Sequence, residues 1–131
     1  MLSALSTILL STLRMGTPLA LTALGGTMSE KSGVTNIGLE GIMTAAAFSA
    51  VVGSYYTGNP WIGVLAAVIV GILISAIHSF VCITAGGLQN ISAMALVMLA
   101  DGFSAVGINV VFHTSGNSAQ VNSLSSTPVL A

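Results

Sequence analysis

Acid–base and metal chemistry need clustered Asp, Glu, His or Cys side chains, and this sequence holds few of them. Its formal charges are Arg14, Glu30, Lys31, Glu40 and Asp101, and its remaining chemistry-bearing groups are His78, His113 and a single cysteine, Cys82. Neither Glu40 nor Asp101 has a second carboxylate or a histidine at ligand spacing, so no metal site, no catalytic residue and no cofactor is expected. Cys82 alone builds no disulfide framework. The stretch GGTMSEKS, residues 25–32, approaches the phosphate-cradling loop G-x-x-x-x-G-K-[ST] but carries Glu30 where that loop needs glycine. A carboxylate there repels phosphate, and no strand precedes it, so ATP chemistry must belong to another subunit.

Glu40 and Asp101 keep three readings: a proton or cation relay, a hydrogen bond to a polar solute, or a structural pairing with backbone amides at a broken helix. His78 shares a helical stripe with Ser75, Ser79 and Cys82, which could line a pathway. The competing reading is an interhelical contact, because Ala67, Gly71, Ser75 and Ser79 form a ridge of small residues that lets helices approach closely. Gln89 and Asn90 open an apolar run and are placed to cap it or to bond a solute.

Composition fixes the solvent in which these residues work. The chain has 131 residues, 54% of them apolar and only 4% charged, against about 25% charged in a soluble domain. Mean hydropathy is +1.01. A water-facing surface cannot be made from so few charges, which excludes most soluble enzymes. Two basic residues cannot neutralise enough phosphates for nucleic-acid binding. The partner is lipid. No basic residue precedes Arg14, which argues against a cleaved signal peptide.

The elements follow from the apolar runs. Residues 61–85 and 88–112 each exceed the roughly 20 residues needed to cross a bilayer, and only Gly86 and Gly87 separate them, so an antiparallel pair is expected. Tyr55, Tyr56 and Trp61 bracket a turn at Gly58, Asn59 and Pro60, which marks a membrane surface. The first half is less regular. Residues 2–13 read as an interfacial or re-entrant helix, ended by Arg14 and too short to span. Residues 16–28 and 42–56 are short runs on either side of SEKSGVTNIGLEG, residues 29–41. That segment is either the break of a discontinuous helix, as in transporter sites, or a loop outside the membrane between two tilted helices. Residues 113–127 read as a polar extramembrane loop, and the apolar run at 128–131 reads as the start of a further span that is cut off. Arg14 and Lys31 bracket one run, so positive charge does not orient the chain. The expected fold is an all-α integral membrane bundle of about three to four spans with a discontinuous or re-entrant helix near residues 29–41.

The segment ALGGTMSEKSGVTNIGLEGIMTAAAF, residues 23–48, closely resembles the permease subunits of bacterial ABC importers for nucleosides and related simple sugars, within the wider branched-chain amino acid and ribose permease family. A weaker match is QNISAMALVMLADG, residues 89–102, where Ala93 replaces a usual glycine and Val97 a usual asparagine. The resemblance covers the N-terminal part of a longer permease and treats 1–131 as a single membrane domain in the bacterial cell membrane. It implies partnership with a second permease subunit, ATP-binding subunits and an extracytoplasmic substrate-binding protein or lipoprotein. Together the break and the resemblance nominate Asn36, Gly38, Glu40, Gly41, Gln89 and Asn90 as pathway or pivot residues in alternating access. A small ion-coupled exporter acting as a homo-oligomer, and a fragment without function of its own, are the competing readings.

Overall fold

The computed structural model describes residues 2–114, 120 and 121. Described residues form four α-helices, α1 (Leu2–Lys31), α2 (Leu39–Thr57), α3 (Pro60–Ser79) and α4 (Gln89–Phe112), with a π-helical turn over Phe80–Thr84 that prolongs α3. Three helical stretches, Ala4–Lys31, Pro60–Thr84 and Gln89–Phe112, are long and apolar enough to cross a membrane. The expected all-helical membrane architecture is therefore present, with α1 and α2 interrupted over residues 32–38. Most of the loop expected at 113–127, and the run at 128–131, lie outside the described residues. The chain divides into two compact parts, residues 1–36 and 37–131.

In the first part, α1 corrects one expectation. Residues 2–13 do not form a separate short helix; the chain continues through Arg14 and Pro18 to Lys31. The expected stop at Arg14 rested on the cost of a charge in lipid, whereas arginine is a good helix former and does not break the backbone. Proline removes one amide donor, the one that would meet the Arg14 carbonyl, and membrane helices tolerate that loss. Thr17 donates to the Leu13 carbonyl at 2.7 Å and Thr22 to that of Pro18 at 2.8 Å.

In the second part, α2 is the middle element, packed along both α3 and α4. Asn59 starts α3 by accepting from the Trp61 amide at 3.0 Å, with Pro60 at the first helical position, where its missing N–H costs nothing. Gly58, at φ +65°, ends α2. This two-residue turn makes α2 and α3 antiparallel, and Gly86 at φ +64° turns the chain again into α4. Helix α4 therefore runs parallel to α2. Contacts at Gly41 with Val97, Phe48 with Phe103 and Tyr55 with Phe112 keep that order.

Small residues set the spacing. A Cβ on Gly63 would stand 2.5 Å from the Ala50 carbonyl oxygen, and one on Gly41 would stand 2.8 Å from Val97 Cα. Backbone meets backbone at both places, as expected where lipid gives helices no hydrophobic drive to associate. The sequence ridge through Ala67, Gly71, Ser75 and Ser79 is not the main seam. Ser75 and Ser79 are exposed, and the buried residues of α3 are Pro60, Gly63 and His78. Helix α3 presents this neighbouring stripe because the tight turn at Gly58 and Asn59 presses its first residues onto the end of α2.

Gly63→Ala and Gly41→Ala each force two backbones apart, so each is expected to destabilise the purified protein by about 1–3 kcal/mol, the usual cost of overpacking. Gly71→Ala has only the Ile42 methyl 4.0 Å away and is expected to be neutral or slightly stabilising. Thermal unfolding in detergent micelles checks the contrast.

Candidate functional site

Helix α1 ends in a motif written by its own polar residues. Gly33, at φ +87°, supplies the left-handed position; its amide donates to the Glu30 carbonyl and the Val34 amide to that of Ser29. This double bond pattern is the glycine-centred C-cap that satisfies the last carbonyls of a helix. The Ser29 hydroxyl adds a bond to the Val34 carbonyl at 2.8 Å. Asn36 is half-buried in the break that follows, and it is hydrogen-bonded or otherwise engaged.

Helix α2 begins at Gly38, which is buried and whose carbonyl accepts from the Ile42 amide at 3.1 Å. The position of this start matters most. Gly41 abuts Val97, well inside α4, so the beginning of α2 is set back about 9 Å from that of α4 at 1.5 Å per residue. On the other flank Ile42 meets Gly71, which sets α2 back about 15 Å from the end of the π-helical turn. Backbone at Gly38 thus leaves helical geometry at a level where α3 and α4 are still helical. Glu40 lies in the first turn of α2 and is exposed, where a carboxylate complements the positive end of the helix dipole.

Of the nominated residues, Gly38, Glu40 and Gly41 are gathered at the start of α2. Gln89 and Asn90 open α4 at the same end of the three-helix unit but about 10 Å further along the axis than Glu40. Gln89 is half-buried and Asn90 exposed. Neither caps the helix: the N-cap is Leu88, without a side-chain bond. Val97, which stands where an asparagine was expected, meets Gly41 through its backbone, so the absent amide does not affect this contact.

One cluster was only half legible beforehand. His78 is 2% exposed, and its Nδ1 lies 3.1 Å from the Ser92 hydroxyl of α4, while Cys82 Sγ packs 3.7 Å from Nε2. The stripe of His78 and Cys82 was visible at helical spacing; Ser92 was not, because only the fold brings the next helix across. The π-helical turn keeps Cys82 against the ring, with the Ala85 amide donating to the Phe80 carbonyl and the Gly87 amide to that of Val81. Next to it, a cavity of about 450 Å³ is bordered by Ile77, Val81, Leu88, Ile91 and Ser92. Its wall is apolar apart from His78 and Ser92. The cluster's chemistry is that of a polar lock between α3 and α4.

Residues 8–130 match the family model described as branched-chain amino acid transport system / permease component. The chain is 41% identical over 114 residues to the guanosine ABC transporter permease protein NupQ of Bacillus subtilis, an alignment covering 82% of this chain and 36% of that protein. It is 33% identical over 120 residues to the nucleoside ABC transporter permease protein NupC of Lactococcus lactis, covering 87% and 38%. The chain thus spans little more than a third of the length of these relatives. No solved structure matches it.

Breaking the lock by His78→Ala or Ser92→Ala is expected to lower stability by about 0.5–1.5 kcal/mol each, with the double variant costing less than the two together. Unfolding of the four proteins in detergent measures that coupling.

Proposed function

Because the chain belongs to the branched-chain amino acid transport system permease family, we propose that it forms part of the membrane permease of an ATP-driven importer, carrying nucleosides or related simple sugars by alternating access. One observation carries the reading. Between Lys31 and Leu39 the backbone is interrupted, and α2 begins below the tip of the hairpin made by α3 and α4. Irregular backbone at such depth persists only where protein or water satisfies its polar groups. Transporters build solute sites and moving joints from breaks of this kind.

In this reading Asn36, Gly38, Glu40 and Gly41 form the pivot, and Gln89 and Asn90 border the path at the start of α4. The chain performs no covalent chemistry. ATP-binding subunits drive it, a second permease subunit completes the path, and an extracytoplasmic binding protein or lipoprotein delivers solute at the bacterial cell membrane. Residues 1–131 act as a single membrane domain of a longer permease. The nucleoside and guanosine permeases it is similar to support the solute class. Family membership weighs against the small ion-coupled exporter.

Asn36→Ala and Glu40→Gln, introduced into the permease of the assembled importer in proteoliposomes, are expected to lower nucleoside uptake and solute-stimulated ATP hydrolysis by about tenfold, the scale of one lost hydrogen bond. Unchanged values for both variants would remove the pivot assignment. Transport driven by a pH gradient without any ATPase would remove the importer reading itself.

A further inference from the structure

Helix α2 packs along α3 on one side and α4 on the other, which leaves it two uncovered faces of different chemistry. One face opens a groove of about 620 Å³ with Ala45, Ser49 and Val52 in its floor. The hydroxyl in that floor is engaged, because Ser49 donates to the Ala46 carbonyl at 2.8 Å. An acyl chain fills such a space without leaving a polar group unpaired. On the far side of the helix, at 100° per residue, Met43, Ala47 and Val51 border a second groove of about 360 Å³ whose opposite wall is Ser104 and Ile108 of α4. Phe48 borders both grooves and packs edge-on against Phe103, so its ring is a fixed partition between them.

The second groove holds a polar group that nothing satisfies. Ser104 is 6% exposed, and its hydroxyl finds no hydrogen-bond partner among the described residues. It lies about 5 Å from the middle of α4, a helix long and apolar enough to cross a membrane. That depth separates the occupants by chemistry. A lipid tail has neither donor nor acceptor and would leave the hydroxyl unpaired in hydrocarbon, which is costly. A buried water needs about two to four polar partners, and the rest of the lining is almost wholly apolar; Thr44 at its edge already donates to the Glu40 carbonyl at 3.0 Å. A further helix meets both demands. Ala47, small and exposed, lets a backbone come close, large side chains fill the groove, and one hydroxyl or amide side chain reaches Ser104. The chain spans little more than a third of the length of its relatives, so a permease of this family holds further chain to supply that helix.

We propose that the groove between Ala47 and Ser104 is the docking seam for a membrane-spanning helix from the part of the permease that this chain does not span, with a Ser, Thr, Asn or Gln of that helix hydrogen-bonded to the Ser104 hydroxyl. The inference rests on the reading above that residues 1–131 belong to a longer permease. It depends neither on the solute nor on the pivot.

The test uses the full-length permease assembled with its partners in proteoliposomes. A diazirine-bearing amino acid is placed at Ala47 and, in a separate protein, at Ile72, which is 63% exposed on α3. After illumination and mass spectrometry, position 47 is expected to be joined to a peptide of the same permease outside residues 1–131, and position 72 to lipid. Attachment of position 47 to lipid, to the second permease subunit or within residues 1–131 overturns the proposal. Ser104→Ala gives an independent sign. Removing a paired hydroxyl is expected to lower the melting temperature of the permease by about 2 °C, whereas removing an unpaired one leaves it unchanged or raises it, and either of those results overturns the pairing. Neither readout involves solute, so failure of ATP-driven nucleoside uptake counts against the transport reading alone.

Discussion

Backbone contact across glycines is the constraint on which the three-helix unit depends. At Gly63 and Gly41 the main chain of one helix touches the main chain of its neighbour, with no room for a methyl group between them. Lipid is as apolar as leucine, so large side chains gain little by leaving it for a protein interface. Close approach gains dispersion contacts instead, and only glycine, alanine and serine permit it. This explains an otherwise odd feature of the fold: its core consists of Ala45, Cys82, Ala93 and Ala100, while its leucines and isoleucines are mostly exposed.

The same contacts decide where α2 begins. Once Gly41 is held against Val97 and Gly63 against Ala50, the register along both neighbours is fixed, and the start of α2 falls short of the hairpin tip. The break between Lys31 and Leu39 is thus a consequence of packing as much as of local sequence. Its glycines allow the backbone to leave the helix at Gly33, and the hydroxyl of Ser29 helps to satisfy what the departure exposes. The polar cluster of His78, Ser92 and Cys82 complements this arrangement at the hairpin, where it ties α3 to α4 on the side that α2 does not reach.

Charge is sparse enough that each ionic group reports on its surroundings. Glu40 at a helix start needs no special setting, because the dipole favours it. Asp101 has no such support: it sits exposed at mid-helix, with Met94 and Met98 within a quarter-turn of it.

The amino-acid sequence alone determined the solvent, the helical class, the long hairpin of α3 and α4 with its turn at Gly86 and Gly87, and the interruption near residues 29–41. It could do so because hydropathy and glycine punctuation act locally, within one or two turns of chain. It misjudged α1, since the charge at Arg14 was taken to end a helix whose backbone continues through it. It also misplaced the seam on α3, choosing a stripe of small residues at the right spacing but the wrong rotation. Only the tertiary structure decided that α2 lies between α3 and α4, that Ser92 reaches His78, and that Gly41 stands beside Val97. Those outcomes depend on how two helices turn about their own axes when they meet, and rotation is set by the partner surface, which no single segment of sequence contains.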